Sequence, residues 1–224
     1  IEQYGADILR LWVASSDYHS DVRISFEYLK QLSDGYRKIR NTARYILGNL
    51  GDFDPDAHRV AFEELHDIDK WAVASCQQLI KEVRKAYEDF EFHNIYHAIH
   101  NFCSVDMSSF YLDILKDRLY VEKKDGPDRR AAQTAIYDIL CALDLMLAPI
   151  LPYTAEEIWS FIPESKGYNK ASVMLNDMPE PREGLVDEAF MDKWARLHAI
   201  RDDVNKALEQ ARAAKTIGKS LEAK

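Results

Sequence analysis

Four groups of residues in this sequence have types and spacings that could do chemistry. The first is "AKTIGKS", Ala214 to Ser220, which ends in the Gly-Lys-Ser of a phosphate-gripping loop. Such a loop needs a glycine five residues before the Gly-Lys pair, so that backbone N–H groups turn inward. It also needs a strand before it and a helix after it. Ala213 stands at the glycine position, no glycine occurs between Gly184 and Gly218, and the approach "HAIRDDVNKALEQARAAK" has helical spacing. Both tests fail. The second group is His93, His97 and His100 in "HNIYHAIH", which share one helical face. A His-x-x-x-His pair is a zinc spacing. No glutamate follows the first histidine and no fourth ligand is evident, so solvated or packing histidines are expected and no metal site is assigned. The third group is paired acids such as Glu63-Glu64 and Asp202-Asp203. They come without a Gly-x-Ser-x-Gly elbow or other nucleophile motif and read as solvated surface. No catalytic residue is assigned.

The fourth group is cationic. In "YRKIRNTARYILGNL", Arg37, Arg40 and Arg44 fall at i, i+3 and i+7, with Asn41 beside them. They line one edge of a helix and flank the apolar positions Tyr36, Ile39 and Ala43. Guanidiniums spaced along a rod suit phosphates spaced along a backbone, and asparagine suits a base edge. The competing reading is a solvated basic face, or arginines paired with acids on a neighbouring helix. Lys116 and Arg118 in "KDRLY", and Arg129-Arg130, are further cationic candidates, with Asp117 and Asp128 close enough in sequence to pair them internally. Lys215 and Lys219 stand in the same position near the end of the chain.

A formal net charge of −9 over 224 residues argues against a nucleic-acid partner only if the charge is evenly spread. It is not. Residues 52–69 carry seven acids against one base, and 176–192 carry six against one. Residues 35–51 carry four bases and no acid, 116–130 six bases against four acids, and 196–224 seven against four. At 47% hydrophobic and 30% charged the chain reads as a globular protein. Its most apolar run, "LMLAPIL", is far too short to span a bilayer. Cys76, Cys103 and Cys141 lie far apart with no Cys-x-x-Cys, which predicts small core residues in a reducing compartment and no cysteine zinc site.

Positioning these residues requires helices. Leu29, Leu32, Tyr36, Ile39, Ala43, Ile46, Leu47 and Leu50 draw one stripe, with Ser25 as cap and Gly48 to Gly51 as stop. A second helix is predicted over 67–89. A third pattern starts near Phe92 and continues through Leu115, with Asp106 to Ser109 as either a break or a kink. A fourth runs from Pro127 to Leu147. Thr154 and Glu157 read as a capping box for a short fifth helix. "SVML" is a short extended candidate, and Asp187 caps a last long helix. The expected architecture is an all-α antiparallel helix bundle. It divides into a connector over 1–24, the bundle over 25–165, an acidic loop over 166–186, and a long helix with a junction over 187–224. Trp12, Trp71, Trp159 and Trp194 lie on apolar stripes and read as core.

Several of these segments together resemble a known family. "YGADILRLWVASSDY" resembles the segment just after the KMSKS loop of class I aminoacyl-tRNA synthetases. "KIRNTARYILGNL", "AYEDFEFHNIYHAIHNF", "DRRAAQTAIYDIL" and "LAPILPYTAEEIW" resemble that family's anticodon-binding helical domain. "VDMSSFYLDILKDRLY" and "RDDVNKALEQARAAKTIGKSLEAK" resemble the isoleucyl branch rather than its valyl and leucyl sisters. The resemblance covers essentially the whole chain. Many relatives have Trp-Pro where this chain has Met178-Pro179.

The resemblance implies the tRNA-binding arm of an enzyme that joins isoleucine to tRNA(Ile) with ATP and Mg. The catalytic HIGH and KMSKS motifs and the editing domain would lie before Ile1. A C-terminal module that binds zinc in many relatives would follow Lys224. The arm itself is expected to have no cofactor and no ligase activity, and to act as a cytoplasmic monomer with no membrane or DNA partner. By the same resemblance Arg37, Arg40, Asn41 and Arg44 become the leading tRNA contacts. The alternatives are a helical protein-interaction domain whose basic stripes serve acidic partners, or the equivalent domain of a sister valyl or leucyl synthetase.

Overall fold

The computed structural model describes residues 2–219, 222 and 223. Those residues form helices, turns and no strand, as the apolar spacing predicts. The α-helices are α1 (Gly5–Ser15), α2 (Phe26–Gly48), α3 (Asp67–Glu88), α4 (Phe92–Asn101), α5 (Leu112–Ile114), α6 (Lys116–Tyr120), α7 (Pro127–Leu147), α8 (Pro152–Phe161) and α9 (Glu188–Ala213). The first of two compact units spans Ile1–Leu185 and the second spans Val186–Lys224.

In the first unit the core is built around α7. Pro127 opens this helix at a position where a missing N–H is harmless. From Ala131 to Leu147 almost every side chain is buried, as expected of a helix apolar on all sides. The packing of α3 against α7 is clamped at both ends. His66 meets Asp128 at 2.9 Å at one end, and the Tyr87 hydroxyl donates to the Met146 carbonyl at 2.9 Å at the other. These pairs show that α3 and α7 run the same way. Likewise α2 and the α4 segment run together, since Thr42 reaches the Cys103 carbonyl and Tyr45 reaches that of Leu112, each at 3.3 Å. Only residues 89–91 separate α3 from α4, which pack on each other and so run oppositely; with the two parallel pairs, α2, α3, α4 and α7 therefore alternate in direction.

The helix that starts at Phe92 neither breaks nor simply kinks at Asp106. It continues as a π-helical stretch over Phe102–Tyr111 before returning to α5. The cause is local. The Ser108 and Ser109 hydroxyls donate five residues back, to the Cys103 and Ser104 carbonyls, both at 2.7 Å, which suits the wider turn.

Of three expected features, one forms as predicted and two take other forms. Ser25 caps α2 by accepting the Tyr28 N–H at 3.1 Å, as predicted. Thr154, however, does not cap α8, which already starts at Pro152. The cap comes from across the molecule. The Asp7 carboxylate accepts the Thr154 N–H at 2.8 Å and its hydroxyl at 2.5 Å. "SVML" is not extended. Val173–Leu175 form a single 3-10 turn, because Ser172 caps it and Asn176 folds back onto the carbonyls of Asn169 and Ser172. The Met178 and Pro179 carbonyls both accept from Arg84 at 3.3 Å, which fixes that loop on α3 through its backbone, whatever side chain stands at 178.

Within the segment expected as a connector, α1 packs on α2, α4 and α8. Arg10 donates to the Pro149 and Ile150 carbonyls at 2.8 and 2.9 Å, one turn beyond Asp7. Together these two side chains grip the corner where α7 gives way to α8. Replacing Asp7 with Ala is expected to lower stability by about 1–2 kcal/mol, because the first-turn N–H of α8 loses its buried acceptor. Thermal melting of the variant checks this; an unchanged midpoint would refute the cap.

In the second unit, Asp187 caps α9 by accepting the N–H groups of Ala189 and Phe190 at 2.9 and 3.2 Å. Of the four tryptophans, Trp71 and Trp159 are core. Trp12 is half-buried and donates to the Arg23 carbonyl, and Trp194 is half-buried on α9.

Candidate nucleic-acid interface

The cation row on α2 survives folding. Arg37, Lys38, Arg40, Asn41 and Arg44 are all exposed, while Leu32, Ile39, Ala43 and Ile46 are buried behind them. Arg37 pairs with Asp34 one turn back at 2.8 Å. Arg40 stands 3.8 Å from Glu157 on α8, with both side chains about half exposed. Arg44 and Asn41 make no ion pair or side-chain hydrogen bond among the described residues. A pair between exposed groups contributes little, so this row remains available to an outside anion.

Beside it, α8 is set parallel to α2. Tyr36 shares a 2.9 Å hydrogen bond with Thr154, itself held by Asp7, so α1 fixes where α8 stands. Between the two helices lies a cleft of about 530 Å³ walled by Leu47, Ile158 and Phe161, with Arg40, Arg44 and Glu157 at its sides. A second cleft of about 370 Å³ continues past Tyr36, Tyr153 and Thr154 toward Tyr4. The exposed edge of α8 therefore carries Tyr153, Glu157 and Phe161, spaced i, i+4, i+8. Reading the sequence for cations missed this aromatic edge. The signal was present: these three residues fall opposite the buried positions Ala155, Ile158, Trp159 and Ile162.

Three of the other cations expected to meet phosphate are engaged inside the fold. Arg118 forms a two-pronged ion pair with the fully buried Asp69, at 2.9 and 2.8 Å, and also donates to the Asp128 carbonyl. Arg129 grips Asp52 in the same way at 2.6 and 2.8 Å. Arg130 donates to the Asp52 carbonyl at 2.9 Å and to Gln133 at 2.7 Å. The hydrogen bonds from Arg129, joined by those from Gln133 and the field of Arg130, hold the Asp52 carboxyl well below the usual carboxylate range. The partners are not the nearby Asp117 and Asp128 carboxylates that the sequence suggested. They come from the acidic run 52–69, so two oppositely charged stretches neutralise each other inside the fold. Lys116 remains at the surface, paired with Asp113 at 2.6 Å.

In the second unit Lys215 and Lys219 are exposed. Ser220 lies outside the described residues. The Gly218 N–H donates to the Glu222 carboxylate at 2.7 Å and lowers its pKa. The amide that a phosphate loop would offer is thus held by the chain's own acid. His93 lies 3.4 Å from Glu91, and among the described residues no group of three His, Cys, Asp or Glu side chains is arranged to hold a metal. Cys76, Cys103 and Cys141 are buried, and burial pushes the Cys76 and Cys103 thiols up to about 12. No helix among the described residues is long and apolar enough to cross a membrane.

Comparison with known proteins places the chain in a family. The family described as "Anticodon-binding domain of tRNA ligase" matches residues 69–224. The whole chain is 54% identical to an isoleucine–tRNA ligase of Halalkalibacterium halodurans and 55% identical to one of Syntrophotalea carbinolica. It spans only 24% of the length of each. Among solved structures, the LeuRS of a LeuRS–tRNA–LeuAMS ternary complex from Agrobacterium radiobacter K84 shares the fold. The TM-score is 0.62 at 18% identity, covering 83% of this chain and 21% of that one.

Proposed function

Because the chain belongs to the family of anticodon-binding domains of tRNA ligases, we propose that it is the part of an isoleucine–tRNA ligase that holds tRNA(Ile) by its anticodon arm. The observation that carries the contact assignment is the exposed cation row on α2 beside an aromatic cleft. Isoleucine is assigned from the identity to isoleucine–tRNA ligases along the whole chain. In this reading ATP, Mg and the attachment of isoleucine belong to the longer enzyme, and zinc to a further C-terminal module. The arm itself turns over neither ATP nor aminoacyl ester. It works as a monomer in the cytoplasm.

The arm is physically suited to this task. The anticodon lies far from the amino-acid end of a tRNA, so a rigid spacer has to connect two distant contacts. Packed antiparallel helices supply stiffness. Cations hold the backbone of an RNA loop, while splayed bases stack on aromatic rings and are read on their edges. Arg37, Arg40 and Arg44 take the first role and Asn41 stands ready for the second. Lys116, Lys215 and Lys219 are accessory cations.

Titration of labelled tRNA(Ile) at several salt concentrations tests the reading. Affinity should fall by about 0.7–0.9 log units per log unit of salt for each phosphate neutralised. Arg44→Glu is expected to weaken binding on the order of tenfold and to reduce the salt slope by about one phosphate, with an unchanged melting temperature. Arg44 is the better probe than Arg40, whose reversal would also set two carboxylates against each other at Glu157. Salt-independent binding, or Arg44→Glu binding like the parent, would overturn the proposal.

A further inference from the structure

We propose that the cleft between α2 and α8 seats a single unstacked RNA base that carries an exocyclic amino group, stacked on Phe161 and donating to Glu157. This rests on the tRNA-binding reading above and goes further, by naming what enters the cleft and which residue selects it.

Three observations carry it. First, Phe161 is 69% exposed although Ile158 and Trp159 of the same helix are buried. Its ring forms one wall of the cleft, with Leu47 and Ile158 completing an apolar slot. Every base has a face that stacks on such a ring. Second, charge is divided along the cleft. The helices are parallel and both end here, α2 at Gly48 and α8 at Phe161. Helix C-termini carry partial negative charge, so this end of the cleft disfavours a phosphate and favours N–H donors. The cations Arg40 and Arg44 stand back from it, where the phosphates flanking an inserted base would run. Third, Glu157 is the acid at the cleft. Its 3.8 Å separation from Arg40 leaves the carboxylate loosely held. A carboxylate accepts from an amino group such as cytosine N4; adenine and guanine also carry one, and uracil does not. The cleft should therefore admit adenine, cytosine or guanine ahead of uracil.

The floor is open enough for this. Gly48 and Gly51 also line the cleft, and beyond the adjoining chain nothing lies within 4 Å of where a Cβ would sit on either.

The test is a protein–RNA double-mutant cycle with tRNA(Ile) carrying single abasic sites through the anticodon loop. One abasic position is expected to weaken binding about 5- to 150-fold, the stacking contribution of one base. Phe161→Ala should weaken intact tRNA by a similar factor, and that abasic site should then cost nothing more. Phe161→Trp should restore binding. Placing uridine at the sensitive position should weaken binding, and Glu157→Ala should narrow the gap between uridine and the amino-bearing bases. Phe161 and Glu157 are exposed, so melting of these variants should match the parent. The proposal is overturned if Phe161→Ala binds like the parent, if no abasic position matters, or if the two losses simply add. Should Arg44→Glu still weaken binding in that case, the base seat alone falls; should neither variant weaken it, the tRNA reading falls too.

Discussion

Arg118→Met is expected to cost about 3–5 kcal/mol of stability, the loss seen when one member of a buried ion pair is removed. Asp69 is fully buried in the first turn of α3. Its carboxylate receives two hydrogen bonds from Arg118 and one from the Tyr111 hydroxyl at 2.7 Å. Burial and the adjacent Asp69 charge push the Tyr111 hydroxyl well above its ordinary pKa, so it remains a donor. Without Arg118 the carboxylate keeps that single donor in an apolar setting. The second replacement, Asp69→Leu in the Arg118→Met background, should recover much of the loss, since no uncompensated charge is left. Urea midpoints of both variants decide the matter. Lys116→Met, two residues earlier and paired only at the surface, should leave the midpoint unchanged. Binding of tRNA by Arg118→Met, measured under conditions where it is still folded, should equal that of the parent. A loss of binding without a loss of stability would return Arg118 to the RNA contacts.

This pair also shows what the sequence could reveal. Apolar spacing located the long helices, because burial of a stripe is a one-dimensional pattern. The α2 row was legible for the complementary reason: Arg37, Arg40 and Arg44 fall on the edge away from Ile39 and Ala43. Asp69 was not legible as buried. Acids were assigned to solvent by type, although position 69 falls in step with Ala72, Cys76 and Val83. Arg118, Arg129 and Arg130 could be recognised as cations, but their partners lie 49, 77 and 78 residues away. No local spacing rule reaches that far. The π-helical stretch escaped for a different reason. It depends on serine hydroxyls competing for backbone carbonyls, and apolar periodicity does not report that competition. The cap of α8 was misassigned because the nearby Thr154 satisfied the local pattern, while the true acceptor, Asp7, comes from 147 residues away.

Asp144 is expected to make stability fall as pH rises from about 4 to about 8, and Asp144→Asn to abolish that fall. The side chain lies on α7, 1% exposed, and neither oxygen has a hydrogen-bond partner. Burial, reinforced by the nearby Glu156 carboxylate, pushes its carboxyl up to about 8. Lys170 opposes the shift but cannot neutralise it, because its ammonium is held by the Trp159 and Ile162 carbonyls. The sign follows from proton counting. Below about pH 4 both folded and unfolded chains carry the proton, so there is no pH effect. Between about 4 and 8 the folded chain keeps a proton that the unfolded chain has released, so each rise in pH favours unfolding. The steepest slope is about 1.4 kcal/mol per pH unit, the value for one proton. Above about 8 both states are ionised and the slope vanishes. Asparagine has nearly the same shape and does not titrate. Parent and variant should therefore unfold at similar urea midpoints near pH 4.5, and the variant should lead by several kcal/mol at pH 8. Parallel curves across that range would mean that Asp144 ionises in the fold as readily as it does in the unfolded chain. The buried carboxyl would then have a partner or solvent access that the packing of α7 does not provide.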